Sequence, residues 1–150
     1  MMLTKTELLE MLKATGTAKA QKVQEGASDM TGTELNAEAN YIPDFKAACE
    51  KMNMLHRPVG FICKSSAGRV VRLLQNYDST IYTGEPETLP AQFGFVWSDN
   101  PAHALPFVSM ATSPYMTGNC CTEDGFVYRS KMDNNIHSPS AYPDGWEKAE

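Results

Sequence analysis

The sequence predicts an α+β fold: N-terminal helices followed by two tandem small antiparallel β-modules related by internal duplication. Three observations carry this. A T-x-x-E capping box, Thr4 to Glu7, stands before leucines at helical spacing. Residues 116–146 alternate like a β-hairpin with a return arm, and residues 59–93 repeat that pattern. The two stretches align with each other at nearly constant offset, the signature of a repeated supersecondary unit.

The first helix is expected over residues 5–14, with Leu8, Leu9 and Leu12 as its apolar stripe before Gly16. Roughly three turns are marginal alone and need a surface to pack on. That surface is either the chain's own body or a partner, so this helix is the candidate route to a homo-oligomer. Residues 15–40, rich in Ala, Gly, Thr and Glu, show no sustained period and read as a linker, with some helix over 18–25 and a loop over 26–32. A second helix opens at Tyr41-Ile42-Pro43 with proline in its first turn. Phe45, Ala48, Cys49 and Met52 make its stripe, and Arg57-Pro58 stops it.

In the later β-stretch, Gly118 leads an apolar run, Glu123-Asp124-Gly125 turns it, a second run passes Tyr128, and a polar loop returns to YPDGW. In the earlier one, Gly60 and Cys63 stand 58 positions before Gly118 and Cys121, while Gly68 and Arg72 stand 57 before Gly125 and Arg129. Pro86, Leu89, Pro90 and Phe93 stand 53 before Pro139, Tyr142, Pro143 and Trp146. The offset changes only at the hairpin turn and in the polar loop, where insertions are tolerated. Strands are expected over 61–63 and 70–74, and a turn near Pro101 is capped by Ser98 or Asp99. The chain thus divides into an N-terminal helical region and linker (1–57), a first β-module (58–97), a connector (98–114) and a second β-module (115–150).

A composition of 42% hydrophobic and 21% charged residues is ordinary for a soluble globular chain. The net charge of -5, with 13 scattered Lys and Arg, gives no support to nucleic-acid binding, which needs a clustered basic face. No apolar run approaches the roughly 18 residues of a membrane helix, and acids interrupt the apolar N-terminus, unlike a signal peptide. No membrane partner is expected. Cys49, Cys63, Cys120 and Cys121 lack C-x-x-C spacing, so they read as small buried hydrophobes and not as a metal site. Because successive strand residues face opposite sides, one of Cys120 and Cys121 should be buried and the other exposed. Nucleophile elbows, H-E-x-x-H helices and Gly-rich phosphate loops are all missing from the sequence, so the reading is a non-enzyme without cofactor.

The run GFVYRSKMDNNIHSPSAYPDGW, from Gly125 to Trp146, resembles the small chitin-binding-like modules (carbohydrate-binding family 5/12 type) of secreted glycosidases and, in divergent form, of phage and prophage tail-associated proteins. Tyr115, Gly118, Gly125, Tyr128, Ser130, Pro139 and Trp146 sit on that pattern. The resemblance covers about the last 35 residues and, more loosely, residues 58–93. It implies a non-catalytic carbohydrate- or receptor-binding accessory protein, made in the bacterial cytoplasm without a signal peptide and carried on a virion. Its partners would be a chitin-like or cell-wall glycan and phage structural proteins. Tyr128, His137, Tyr142 and Trp146 would stack on sugar rings, and Asn134 and Asn135 would bond hydroxyls. His137 stands where such modules often carry Trp, and the first copy has Val71 and Phe93 in place of Tyr128 and Trp146.

Each of these residues has a plainer role. Tyr128 and Trp146 fill the core of a small module, the asparagines close turns, and His137 is a loop residue. The rival function is a structural virion or tail-assembly component whose modules mediate protein contacts; a third is a remnant targeting domain of a cell-wall hydrolase. Glycan stacking requires at least two of the four rings exposed and roughly coplanar. Assembly requires Leu8, Leu9 and Leu12 exposed.

Overall fold

The capping box forms as its residues require: Thr4 Oγ1 accepts the Glu7 backbone N–H at 3.1 Å and Glu7 Oε2 accepts that of Thr4 at 2.9 Å. In the computed structural model, which describes residues 4–149, this box opens a helix far longer than the sequence predicts. Residues 1–3 and 150, the outer ends of the first and last segments, lie outside the described residues. Helix α1 runs Lys5–Gly26, straight through Gly16. An interior glycine costs a helix only about 1 kcal/mol, and the downstream turns are held by Val23 and Ala27, both buried against the body.

The expected linker is therefore folded. After a 3-10 turn at Ala27–Asp29, a second T-x-x-E box at Thr31 and Glu34 opens α2, Gly32–Ala37, and a further 3-10 turn spans Ala39–Tyr41. Helix α3, Phe45–Lys51, starts at cap Asp44 and not at Pro43. Pro43 instead lies in extended chain, its carbonyl accepting the Lys64 N–H at 2.8 Å. Phe45 and Ala48 are buried as expected, while Met52, beyond the helix end, is exposed.

Strands β1 (Ile62–Lys64), β2 (Val70–Leu73) and β3 (Phe93–Phe95) form an antiparallel sheet in that order. A second sheet orders β4 (Leu105–Pro106), β5 (Cys120–Glu123), β6 (Phe126–Ser130) and β7 (Trp146–Ala149). It has one strand more than its counterpart because the connector contributes β4, parallel to β5. The architecture is α+β.

The two sheets share a register. Cys63 pairs Val71 where Cys121 pairs Tyr128, and Leu73 pairs Phe93 where Ser130 pairs Trp146, at the offsets 58, 57 and 53. Gly60 donates to Leu73 O at 2.8 Å with φ +96°, and Gly118 donates to Ser130 O at 2.9 Å with φ +97°. The hairpin turns differ. Asp124-Gly125, both at positive φ, make a two-residue turn; the first hairpin uses a longer loop, with Gly68 at φ +86° donating to Ser65 O.

The sheets close on one core. Phe107, Tyr115, Trp97 and Phe95 stack in sequence with centroids 5.3, 4.3 and 5.6 Å apart, and Trp146 meets Tyr115 edge-on at 5.4 Å. Arg69 ties the sheets at their margin, donating to Glu87 at 2.8 Å and to Pro106 O at 2.7 Å. The opposite face of the first sheet, Ile62 and Val70, packs on Val23, Ala27, Leu35 and Ile42. Cys120 and Cys121 do face opposite sides, yet both are buried. The segment from Ser98 to Asn100 encloses Cys120: Ser98 O accepts the Cys120 N–H at 2.8 Å and Asp99 O accepts its thiol at 3.7 Å.

Candidate functional site

The turn at Pro101–His103, before β4, is capped by Asn100 and not by Ser98 or Asp99: the Asn100 Oδ1 accepts the Ala102 N–H at 3.0 Å, while the Ser98 hydroxyl accepts the N–H of Asn100. That segment is structural. The sugar-reading candidates lie on the other side of the second sheet, where residues 131–145 return from β6 to β7.

Of the six candidates, two are interior. Trp146 is 5% exposed and gives its indole N–H to His137 O at 2.8 Å. Asn135 is fully buried; its amide donates to Ser130 Oγ and Gly145 O, each at 3.1 Å, and its Oδ1 accepts the His137 N–H. Both residues hold the loop that carries His137 and have no free face for a ligand. Tyr128 is half-buried against the core, directly between Cys121 and Lys148 in the sheet. Asn134 is exposed at φ +55°, a turn residue.

The structure does bring His137 and Tyr142 together. Their centroids are 5.9 Å apart, and with Met132 and Ala141 they line a cleft of about 330 Å³. Tyr142, 42% exposed, rests on Gly145, where a Cβ would come within 2.8 Å of its ring. The rings are inclined at 68°, so they form a notch and not a flat platform. Asp133, nearby in the same loop, accepts the Thr117 N–H at 3.0 Å, which holds its carboxyl below the usual range.

A second surface belongs to α1. Every residue from Thr4 to Thr15 is exposed, with Leu8 at 49%, Leu9 at 50%, Met11 at 54% and Leu12 at 61%. The first half of the helix thus overhangs the body, bearing the stripe read from the sequence with Met11 added. Met11 sits three residues after Leu8, spacing enough to have included it. Where the helix reaches the body, a groove of about 740 Å³ opens between it and the segment Asn40–Pro43. Gly16, Thr17 and Ala20 line one side; Tyr41, Ile42, Pro43 and Phe61 line the other.

In the depression between α3 and the first hairpin, Lys46 faces Glu85 at 4.0 Å and Lys64 faces Asp44 at 3.9 Å. Among the described residues no group of three or more His, Cys, Asp or Glu side chains is placed to hold a metal ion, and no helix is long and apolar enough to cross a membrane. No family model matches the chain, and no curated protein or solved structure is significantly similar to it.

Proposed function

We propose that the chain is a non-catalytic assembly protein that attaches through the overhanging half of α1. One observation carries this: Leu8, Leu9, Met11 and Leu12 stand about half exposed on a helix whose later turns are packed. The apolar stripe of a surface helix ordinarily faces something that buries it. The paired β-modules serve as a rigid body behind it. Their matching registers and matching positive-φ glycines support descent from one duplicated unit. The resemblance of the last module suggests a phage or prophage particle as the setting. The test is co-sedimentation with particles from producing cells. The native chain pellets with them, and a Leu8→Asp/Leu12→Asp variant of unchanged fold stays in the supernatant; equal pelleting of both sinks the reading.

A second reading is adsorption to a glycan, favoured by the exposed notch of His137 and Tyr142. Retention on insoluble chitin or peptidoglycan, lost in Tyr142→Ala, would support it. Absence of retention by the native chain would remove it.

A further inference from the structure

Each module displays one tyrosine in the same way, on the loop that returns to its closing strand. In the second module the Ser138 carbonyl accepts the Tyr142 N–H at 2.9 Å and the Ser138 hydroxyl accepts that of Ala141 at 3.2 Å, a single helical turn opened by its own side chain. In the first module the Asp78 carbonyl accepts the Tyr82 N–H at 3.0 Å and the Asp78 carboxylate accepts that of Thr80 at 2.9 Å. Behind each tyrosine stands the ring five residues earlier: Tyr77 lies 6.5 Å from Tyr82 at 63°, and His137 lies 5.9 Å from Tyr142 at 68°. The closing aromatic of the module fixes that residue in turn. Phe93 meets Tyr77 edge-on at 5.7 Å, and Trp146, its counterpart at offset 53, donates its indole N–H to His137 O at 2.8 Å. The displayed turn recurs at offset 60 and not at 53, where the first module has the partly buried Leu89; the longer loop carries its tyrosine seven residues earlier.

Resting on the glycan reading of the His137 and Tyr142 notch, we infer that Tyr82 is a second saccharide-stacking position, so that the chain grips one neutral polymer at two points. Tyr82 is 56% exposed. Residues 77–83 and 137–143 contain no Lys, Arg or Glu, and their single Asp, Asp78, is engaged by Thr80 and Asn53. A charged ligand thus finds no fixed counter-charge in either turn. What both turns offer is an exposed ring with an apolar body and a polar tip, accompanied by hydroxyls: Thr80 and Thr83 in one, Ser138 and Ser140 in the other. A pyranose matches this, with C–H groups for the ring and hydroxyls for the hydroxyls; a proline ring would leave the latter unused. Because the two sheets close on one core, the two tyrosines keep a fixed separation, which suits a chain of repeating units and not a single small sugar.

The experiment is a set of depletion isotherms of the full chain on insoluble chitin and on peptidoglycan, with urea midpoints on the same samples. The native chain is expected to be retained on one of the two polymers. Tyr82→Ala and Tyr142→Ala should each weaken retention about tenfold or more, and the double variant should abolish it, since two joined contacts exceed either alone by roughly 10²–10⁴. Tyr82→Phe keeps the ring and should bind like the native chain. Tyr82→Leu keeps apolar bulk without the ring and should bind as weakly as Tyr82→Ala; comparing it with Tyr82→Phe at equal urea midpoint keeps the test independent of folding. Full retention of Tyr82→Ala beside loss in Tyr142→Ala would overturn the second position and leave the glycan reading standing. Retention of Tyr82→Leu at the native level would overturn the stacking role. A native chain retained on neither polymer would remove the glycan reading itself, and the second position with it.

Discussion

The side chain of Gln24 caps the edge of β1 at Ile62: its Nε2 donates to Ile62 O at 2.6 Å and its Oε1 accepts the Ile62 N–H at 3.0 Å. The amide stands where a neighbouring strand would be, so α1 is joined to the first sheet by a reciprocal pair of bonds. In the second sheet the equivalent residue, Cys120, is paired by the carbonyl of Ser98. Gln24→Ala strips both partners from a partly buried peptide and is expected to cost about 1–3 kcal/mol, read from the urea midpoint. Gln24→Glu sets a carboxylate against Ile62 O and should cost more. Equal stability of all three chains would refute the capping role.

The matched glycines give a second test. Gly60→Ala and Gly118→Ala each force an L side chain to a φ near +96°, at about 1–2 kcal/mol. Gly118→Ala should cost more, because its Cβ falls 3.3–3.5 Å from the Asp99 carboxylate while that of Gly60 meets nothing. The comparison is again made by denaturant unfolding. A free substitution at either site would contradict the shared strained turn.

Acid stability should respond to Asp78. Its carboxylate accepts the Thr80 hydroxyl at 2.6 Å, the Asn53 amide at 2.9 Å and the Thr80 N–H at 2.9 Å, which hold its pKa below the ordinary value. A group depressed on folding stabilises the fold above its unfolded pKa and loses that contribution as pH falls through the folded value. The loss therefore begins near pH 4 and continues downward. Asp78→Asn should flatten this part of the stability curve while leaving its slope above pH 5 unchanged. An unaltered acid limb would remove Asp78 from the account.

Thiol reactivity should be suppressed in the native chain. Burial pushes Cys63 and Cys121 up to about 12 and raises Cys49 and Cys120 as well, so few thiolates exist at pH 8. Thiol titration should show slow reaction when folded and four fast-reacting groups in guanidinium. A fast native thiol would show that a cysteine is less enclosed than the packing implies.

What the sequence determined by itself was local or periodic. The box at Thr4, the Asp124-Gly125 turn and the offsets between the β-stretches are written in residues a few positions apart, and the strands, turns and register follow them. The linker was not legible, because Gly16 argues locally for a stop while the downstream turns are held by Val23 and Ala27 against Leu35 and Ile42, contacts between separate elements. The Thr31 box, T-x-x-E like that at Thr4, is legible in the sequence. For the candidate site, the resemblance nominated Trp146, Asn135, His137 and Tyr142 but could not sort them. Tertiary structure decided that by closing the return loop: Asn135 and Trp146 spend their polar groups inward on holding it, and His137 and Tyr142 are left outside. The stripe on Leu8 and Leu12 is sequence; that the body ends before reaching it is a matter of packing.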